Sequence, residues 1–226
     1  PSELINTKVS VKESGRYISC DPQVAYYSTK LQTERLETLR FAKELRKELN
    51  RPLAICDPFC GVGPALSTLI AEEGLAGNIL ASDLNSSAVE LLFENLKRWD
   101  KREYPTKSEK LQQYYDDRIV GLADATKLSQ NPQYSGKWDM VLVNLPHRTI
   151  EFLPALIPLL NRSNVSLIRG RVIVAESDIP SANKKINEIL PPIVASKPKP
   201  ELKIKRDYSS ALRLCSFEAW IEKDIT

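Results

Sequence analysis

The segment Asp57-Pro58-Phe59-Cys60-Gly61-Val62-Gly63-Pro64 constrains the fold more than any other part of the chain. It joins a short apolar run, Leu53–Cys56, to a helical pattern over Pro64–Glu73. Gly61 and Gly63 lack a Cβ, so the backbone can turn sharply there and approach a ligand closely. The next apolar run, Asn78–Ser82, is followed at once by Asp83. That is the place where a nucleoside-binding βαβ unit carries an acid able to accept both ribose hydroxyls.

The alternation continues along the chain. After the helical pattern Ser86–Trp99, with Ala88, Leu91, Leu92 and Leu96 on one face, come strands at Arg118–Ala123 and Trp138–Leu145. A helix over Ile150–Leu160, a strand at Arg171–Glu176 and a helix over Ser181–Leu190 follow. Two last strands, Glu201–Asp207 and Arg213–Glu222, read as an antiparallel pair. Short strands separated by helices predict an α/β fold with a mainly parallel, seven-stranded sheet covered on both faces. Ahead of this unit, Thr7–Val11 and Arg16–Cys20 around Gly15 predict a small β element. A helix follows from Thr33, its expected N-cap, through Leu36, Leu39, Leu45 and Leu49. Residues 101–117 read as a polar surface insertion and 191–200 as an extended connection.

The 226 residues suffice for one full α/β domain and a small appendage. No apolar stretch approaches the roughly 20 residues that cross a bilayer, so no membrane partner and a cytoplasmic setting are expected. Cys20, Cys56, Cys60 and Cys215 have no C-x-x-C spacing, and His147 is the one histidine, which argues for reduced, buried thiols and no metal. The net charge of +3 permits a nucleic-acid partner without demanding one.

NAD and S-adenosylmethionine both fit the glycine loop and Asp83. Three features favour the latter. Asp57 ends the first strand, where it can hold the amino-acid end or sulfonium side of the cofactor. Asp124, at the tip of the third strand, can accept a hydrogen bond from an adenine amino group. The fourth strand ends in Asn144-Leu145-Pro146-His147, an Asn-x-Pro turn of the kind that methyltransferases acting on base nitrogens commonly carry. Phe59, Leu84 and Ala125 flank these groups and complete the candidate cofactor set with Gly61, Gly63 and Asn144.

The ordered motifs resemble one family: the archaeal and eukaryotic tRNA guanine-37 N1-methyltransferases, with the aminocarboxypropyl transferases of wyosine synthesis as cousins. The resemblance runs from about Val11 to the end. It is carried by Lys12-Glu13-Ser14-Gly15, the segment Tyr26–Arg35, the loop at Asp57–Pro64, Asp83-Leu84-Asn85, Asp124, Asn144-Leu145-Pro146 and Arg206-Asp207-Tyr208-Ser209. It implies a Rossmann-like class I methyltransferase fold over residues 33–226, preceded in 1–32 by the remnant of an N-terminal RNA-binding region. It also implies tRNA as partner, with Glu34 as the general base for the guanine N1 proton. Arg35 would be the cation for charge developing on O6, and Asn144 and Pro146 the base-holding turn. Oligomeric state is left open.

The chain departs from the methylating members at Thr29-Lys30, where they usually have Pro-Arg. Lys30 keeps a charge for the cofactor but loses the planar fork of Arg. The cousins usually carry Gly-Asn there, which is not matched either. Methyl transfer to a guanine is the leading expectation. Aminocarboxypropyl transfer, methylation of another RNA base and a non-catalytic tRNA-binding or partner-activating module are the alternatives. His147, the basic run from Lys184 to Arg206, and Tyr26 and Tyr27 are further candidates for substrate contact.

Overall fold

The computed structural model describes residues 7–25 and 27–224. Its elements are β1 (Val9–Glu13), β2 (Arg16–Cys20), α1 (Gln32–Leu49), β3 (Leu53–Asp57), α2 (Pro64–Ala71), β4 (Ala76–Asp83) and α3 (Ser86–Asp100). They continue as β5 (Gln112–Tyr115), β6 (Arg118–Leu122), β7 (Met140–Val143), α4 (Thr149–Leu156), β8 (Ser166–Ala175), α5 (Ile179–Ile189), β9 (Lys203–Asp207) and β10 (Leu212–Ile221).

The main sheet has the order β5-β6-β4-β3-β7-β8-β10-β9. Its centre, β6 to β8, is parallel, and β5, β10 and β9 are antiparallel to their neighbours. The expected α/β plan holds, with eight strands rather than seven. The additional strand, β5, lies inside the polar stretch 101–117, where Gln112 pairs with Val120 and Tyr115 with Arg118. Its sequence, Gln-Gln-Tyr-Tyr, has no apolar alternation because the edge position is held by ladder bonds and a ring cluster. Tyr104 is buried against Phe93 and Tyr115 there.

The parallel strands are apolar runs because both faces are covered. One face packs under α1, α2 and α3 through Phe41, Leu45, Leu66, Leu69, Leu92 and Leu96. The other packs under α4 and α5 through Leu153, Leu156, Ala182 and Ile186. Helix α3 starts as its sequence predicts, with the Asn85 side chain accepting from the Ser87 and Ala88 amides at 3.0 and 3.3 Å.

Helix α1 corrects the sequence reading at both its start and its face. A 3-10 turn over Thr29–Leu31 leads into it, so Leu31, not Thr33, is the N-cap. Its buried positions are Glu34, Arg35, Thr38, Phe41, Ala42 and Leu45, while Leu36 is exposed. Ion pairs replace apolar packing over its first two turns.

Strands β1 and β2 form a separate two-stranded sheet. Ile18 and Cys20 nevertheless belong to the main core. Asn95 fastens them: it accepts from the Ser19 amide at 2.7 Å and donates to the Ser19 and Val62 carbonyls, both at 2.9 Å. One buried amide thus ties the hairpin to the glycine loop.

Candidate active site

A cavity of about 960 Å³ opens above the carboxyl ends of β3, β4, β6 and β7. This is where the strand order reverses, from β3 outward to β4 and β6 on one side and to β7 and β8 on the other. Ligands bind at such switch points because loops diverge there and leave a crevice.

The glycine loop forms one wall. Gly61 (φ +53°) gives its amide to the Asp83 carboxylate at 2.8 Å, and the other Asp83 oxygen accepts from the Asn85 amide at 2.9 Å. Gly63 stands behind the wall as the N-cap of α2, at φ +83°. A Cβ there would meet Leu92 Cδ1 at 2.7 Å and the Trp99 ring at 3.1 Å. The two glycines therefore serve different ends, Gly61 facing the cavity and Gly63 the packing beneath it.

Asp57 is 1 % exposed, and neither carboxylate oxygen has a hydrogen-bond partner among the described residues. Burial pushes its carboxyl up to about 7, and the nearby Asp83 adds to the rise, while the Phe59 backbone, close by but outside hydrogen-bond geometry, and Arg171 oppose it. Asp124 has the opposite setting. The Thr126 hydroxyl at 2.6 Å and amide at 3.0 Å hold its carboxyl below the usual range. Leu84, Ala125 and Phe59 also line the cavity, with Phe59 6.0 Å from the Phe152 ring.

The turn after β7 is pinned to β8. The Ile173 amide donates to the Pro146 carbonyl at 2.9 Å, and the Thr149 hydroxyl lies 3.0 and 2.6 Å from the Leu145 and Arg171 carbonyls. Asn144, Leu145 and Pro146 line the cavity, and the Asn144 side chain has no hydrogen-bond partner among the described residues.

The residues of α1 divide. Arg35 lines the cavity, but its Nε and Nη2 are bound to the buried Glu13 carboxylate, and Nη2 also donates to the Ser28 carbonyl at 3.0 Å. Glu34 is buried outside the lining, 3.1 Å from Arg169 Nη2 and 3.4 Å from Lys205 Nζ. Arg169 also binds Glu37 and Glu218, so α1 is clamped onto β8, β9 and β10 by charge. Lys30 is exposed and does not line the cavity. Tyr27 lines it and donates to Glu13 at 2.9 Å, and Tyr26 lies outside the described residues.

Arg171 on β8 lines the cavity and was not singled out in the sequence, whereas Arg206 and Tyr208, from the motif Arg206-Asp207-Tyr208-Ser209 at and just after the end of β9, line it as well. Arg206 Nε is buried without a partner, and Tyr208 meets His147 edge-on at 5.4 Å between ring centres. The legible signal for Arg171 was Arg169-Gly170-Arg171, two cations at strand period in an apolar run. Three lysines of the basic run are paired with acids instead of facing a ligand. Lys197 pairs with Glu44 at 2.6 Å, Lys203 with Glu218 at 2.7 Å and Lys205 with Glu37 at 2.6 Å.

All four cysteines are buried and free. Among the described residues no cluster of three metal-ligating side chains occurs, and no helix is long and apolar enough to cross a membrane.

Comparison with known proteins bears on this geometry. The chain is 27% identical over 159 residues to the tRNA (guanine(37)-N(1))-methyltransferase Trm5b of Pyrococcus abyssi, covering 70% of this chain and 39% of that one. It is 27% identical over 143 residues to a tRNA (guanine(37)-N(1))-methyltransferase of Paramecium tetraurelia, covering 63% and 31%. The chain thus spans between about a third and two fifths of the length of these curated relatives. The fold superposes on the crystal structure of the M. jannaschii tRNA m1G37 methyltransferase with a TM-score of 0.69 at 22% identity, covering 97% of this chain and 58% of that one. The family model for the TRM5/TYW2 methyltransferase domain matches residues 9–176, and the chain belongs to that family.

Proposed function

We propose that this chain transfers the methyl group of S-adenosylmethionine to a guanine of tRNA, at N1 of guanine 37, in the cytoplasm. The observation that carries the reading is a row of uncommitted polar groups on neighbouring strands, Asp57, Asn144 and Arg171, beside the Asp83 and Asp124 carboxylates. The names of the relatives support the choice of base and reaction.

The residues present fit the cofactor. A buried, unpartnered carboxylate such as Asp57 suits a ligand with a sulfonium and an ammonium, since either cation offsets the charge that burial disfavours. Asp83 would take the ribose hydroxyls, because each of its oxygens keeps a lone pair after accepting one amide. Asp124 and Ala125 would face the adenine, with Phe59, Leu84 and the Gly61 backbone closing around the nucleoside. The bound cofactor supplies an electrophilic methyl carbon.

The chain's own residues would do the rest mainly by positioning. Asn144 and the Pro146 turn hold a planar base beside the cofactor. Glu34 takes the N1 proton, for which it must exchange Arg169 or Lys205 for the base. Residues 33–226 form the methyltransferase domain in this reading, and 1–32 the end of an RNA-binding region.

The test is incubation with methyl-labelled S-adenosylmethionine and tRNA transcripts carrying G or A at position 37. Label entering only the G37 transcript is the expected result. Label in both, or in neither, overturns the guanine assignment.

A further inference from the structure

We infer that Arg171, rather than Arg35, contacts the O6–N7 edge of the target guanine and stabilises the negative charge that develops on O6. The inference rests on the guanine-methylating reading above and names the residue that selects the base.

Removal of the N1 proton to Glu34 leaves charge shared between N1 and O6, and a guanidinium aimed at O6 lowers the barrier most when it has no other partner. Arg35 is poorly suited. It is 2 % exposed, its Nε and Nη2 are held by Glu13, and Ser28 takes a further bond. Moving it would strand a buried Glu13 carboxylate, a loss of the kind that destabilises proteins strongly.

Arg171 has what Arg35 lacks. Its side chain makes no hydrogen bond or ion pair among the described residues, and it lines the cavity. Position also favours it. Val143 and Gly170 are register partners in the parallel pair β7–β8, so Asn144 and Arg171 are the next residues on adjacent strands. A base held by Asn144 lies beside Arg171. The surrounding charges are Glu34 and Asp57, which favour the cation, and Arg169 and Arg35, which oppose it. Burial, the largest influence, lowers the guanidinium to about 10, so it stays charged at neutral pH yet has no directly bound anion among the described residues. The O6–N7 edge of guanine offers two acceptors to the Arg fork, whereas adenine presents a donor at N6.

Arg171→Met, Arg171→Lys and Arg171→Ala test this in the intact chain. Single-turnover methylation of the G37 transcript should fall by about 100-fold or more in Arg171→Met, the usual effect of losing one such donor. The affinity for S-adenosylhomocysteine should be unchanged and the Tm not lowered. Arg171→Lys should recover part of the rate, and added guanidinium should recover part of it in Arg171→Ala. Wild-type rate in Arg171→Met overturns the inference while leaving the proposed function intact. A parallel fall of rate, cofactor affinity and Tm also overturns it, because Arg171 is then scaffolding. If the wild-type chain labels no guanine transcript, both readings fall.

Discussion

Replacing Asp57 by Asn should stabilise the unliganded protein, and should do so more at high pH than at low. Asp57 is buried with no hydrogen-bond partner, and its carboxyl is raised from 3.8 to about 7. An acid raised in this way keeps its proton in the folded chain where the unfolded chain has lost it. The folded state therefore loses relative stability as pH climbs from about 4 to about 7, and the deficit persists above that. Integrating between about pH 5.5 and about pH 8.5 gives a growth in the deficit of about 2 kcal/mol. For a chain of this size that corresponds to about 4–8 °C in Tm. The neutral Asn does not titrate, so the Tm gap between variant and wild type should widen by that amount across the interval. Any constant effect of the new amide cancels in the comparison. Thermal unfolding followed by circular dichroism at the two pH values measures it. An identical gap at both, or one that narrows with rising pH, refutes the argument that an ionised Asp57 is held at a cost. At one fixed concentration, S-adenosylmethionine should raise the wild-type Tm at about pH 8.5 by more than that of Asp57→Asn, because the variant binds it more weakly once the compensated charge is gone.

Two further substitutions probe the scaffold under the site. Gly63→Ala combines a positive φ with a Cβ 2.7 Å from Leu92 Cδ1, and should lose about 2–4 kcal/mol by chemical denaturation together with most cofactor affinity; a loss under about 0.5 kcal/mol would contradict the packing described. Asn95→Ala removes three buried hydrogen bonds and should lose about 2–4 kcal/mol, with hydrogen exchange accelerated first at Ser19 and in the glycine loop. Exchange unchanged at Ser19 would show that the hairpin is held without Asn95, by Ile18, Cys20 and bonds such as that from Trp99 to the Tyr17 carbonyl.

Much of the fold was legible because periodicity is local. The apolar runs at Leu53–Cys56 and Met140–Val143, the glycine loop and Asp83 each announce themselves within a few residues. The eighth strand did not, since Gln112–Tyr115 owes its pairing to β6 and to the Phe93 and Tyr104 rings, not to its own pattern. The N-terminal half of α1 misled for a similar reason: Leu36 looked like core, while the buried positions are Glu34 and Arg35.

For the site, sequence by itself marked Gly61, Asp83 and Asp124, which the fold brings to one cavity wall. They sit at strand ends and turns, which local sequence marks, although the Gly61–Asp83 bond itself needs β3 and β4 to pair. Tertiary structure decided the rest, because the state of a charged group depends on what folding places beside it. Arg35 is committed by Glu13 from the preceding hairpin, and Glu34 by Arg169, 135 residues away. Lys30 faces outward, and Arg171 faces the cavity uncommitted. The sequence named a guanidinium for the reaction, but only the partners of each arginine show which one is free to serve.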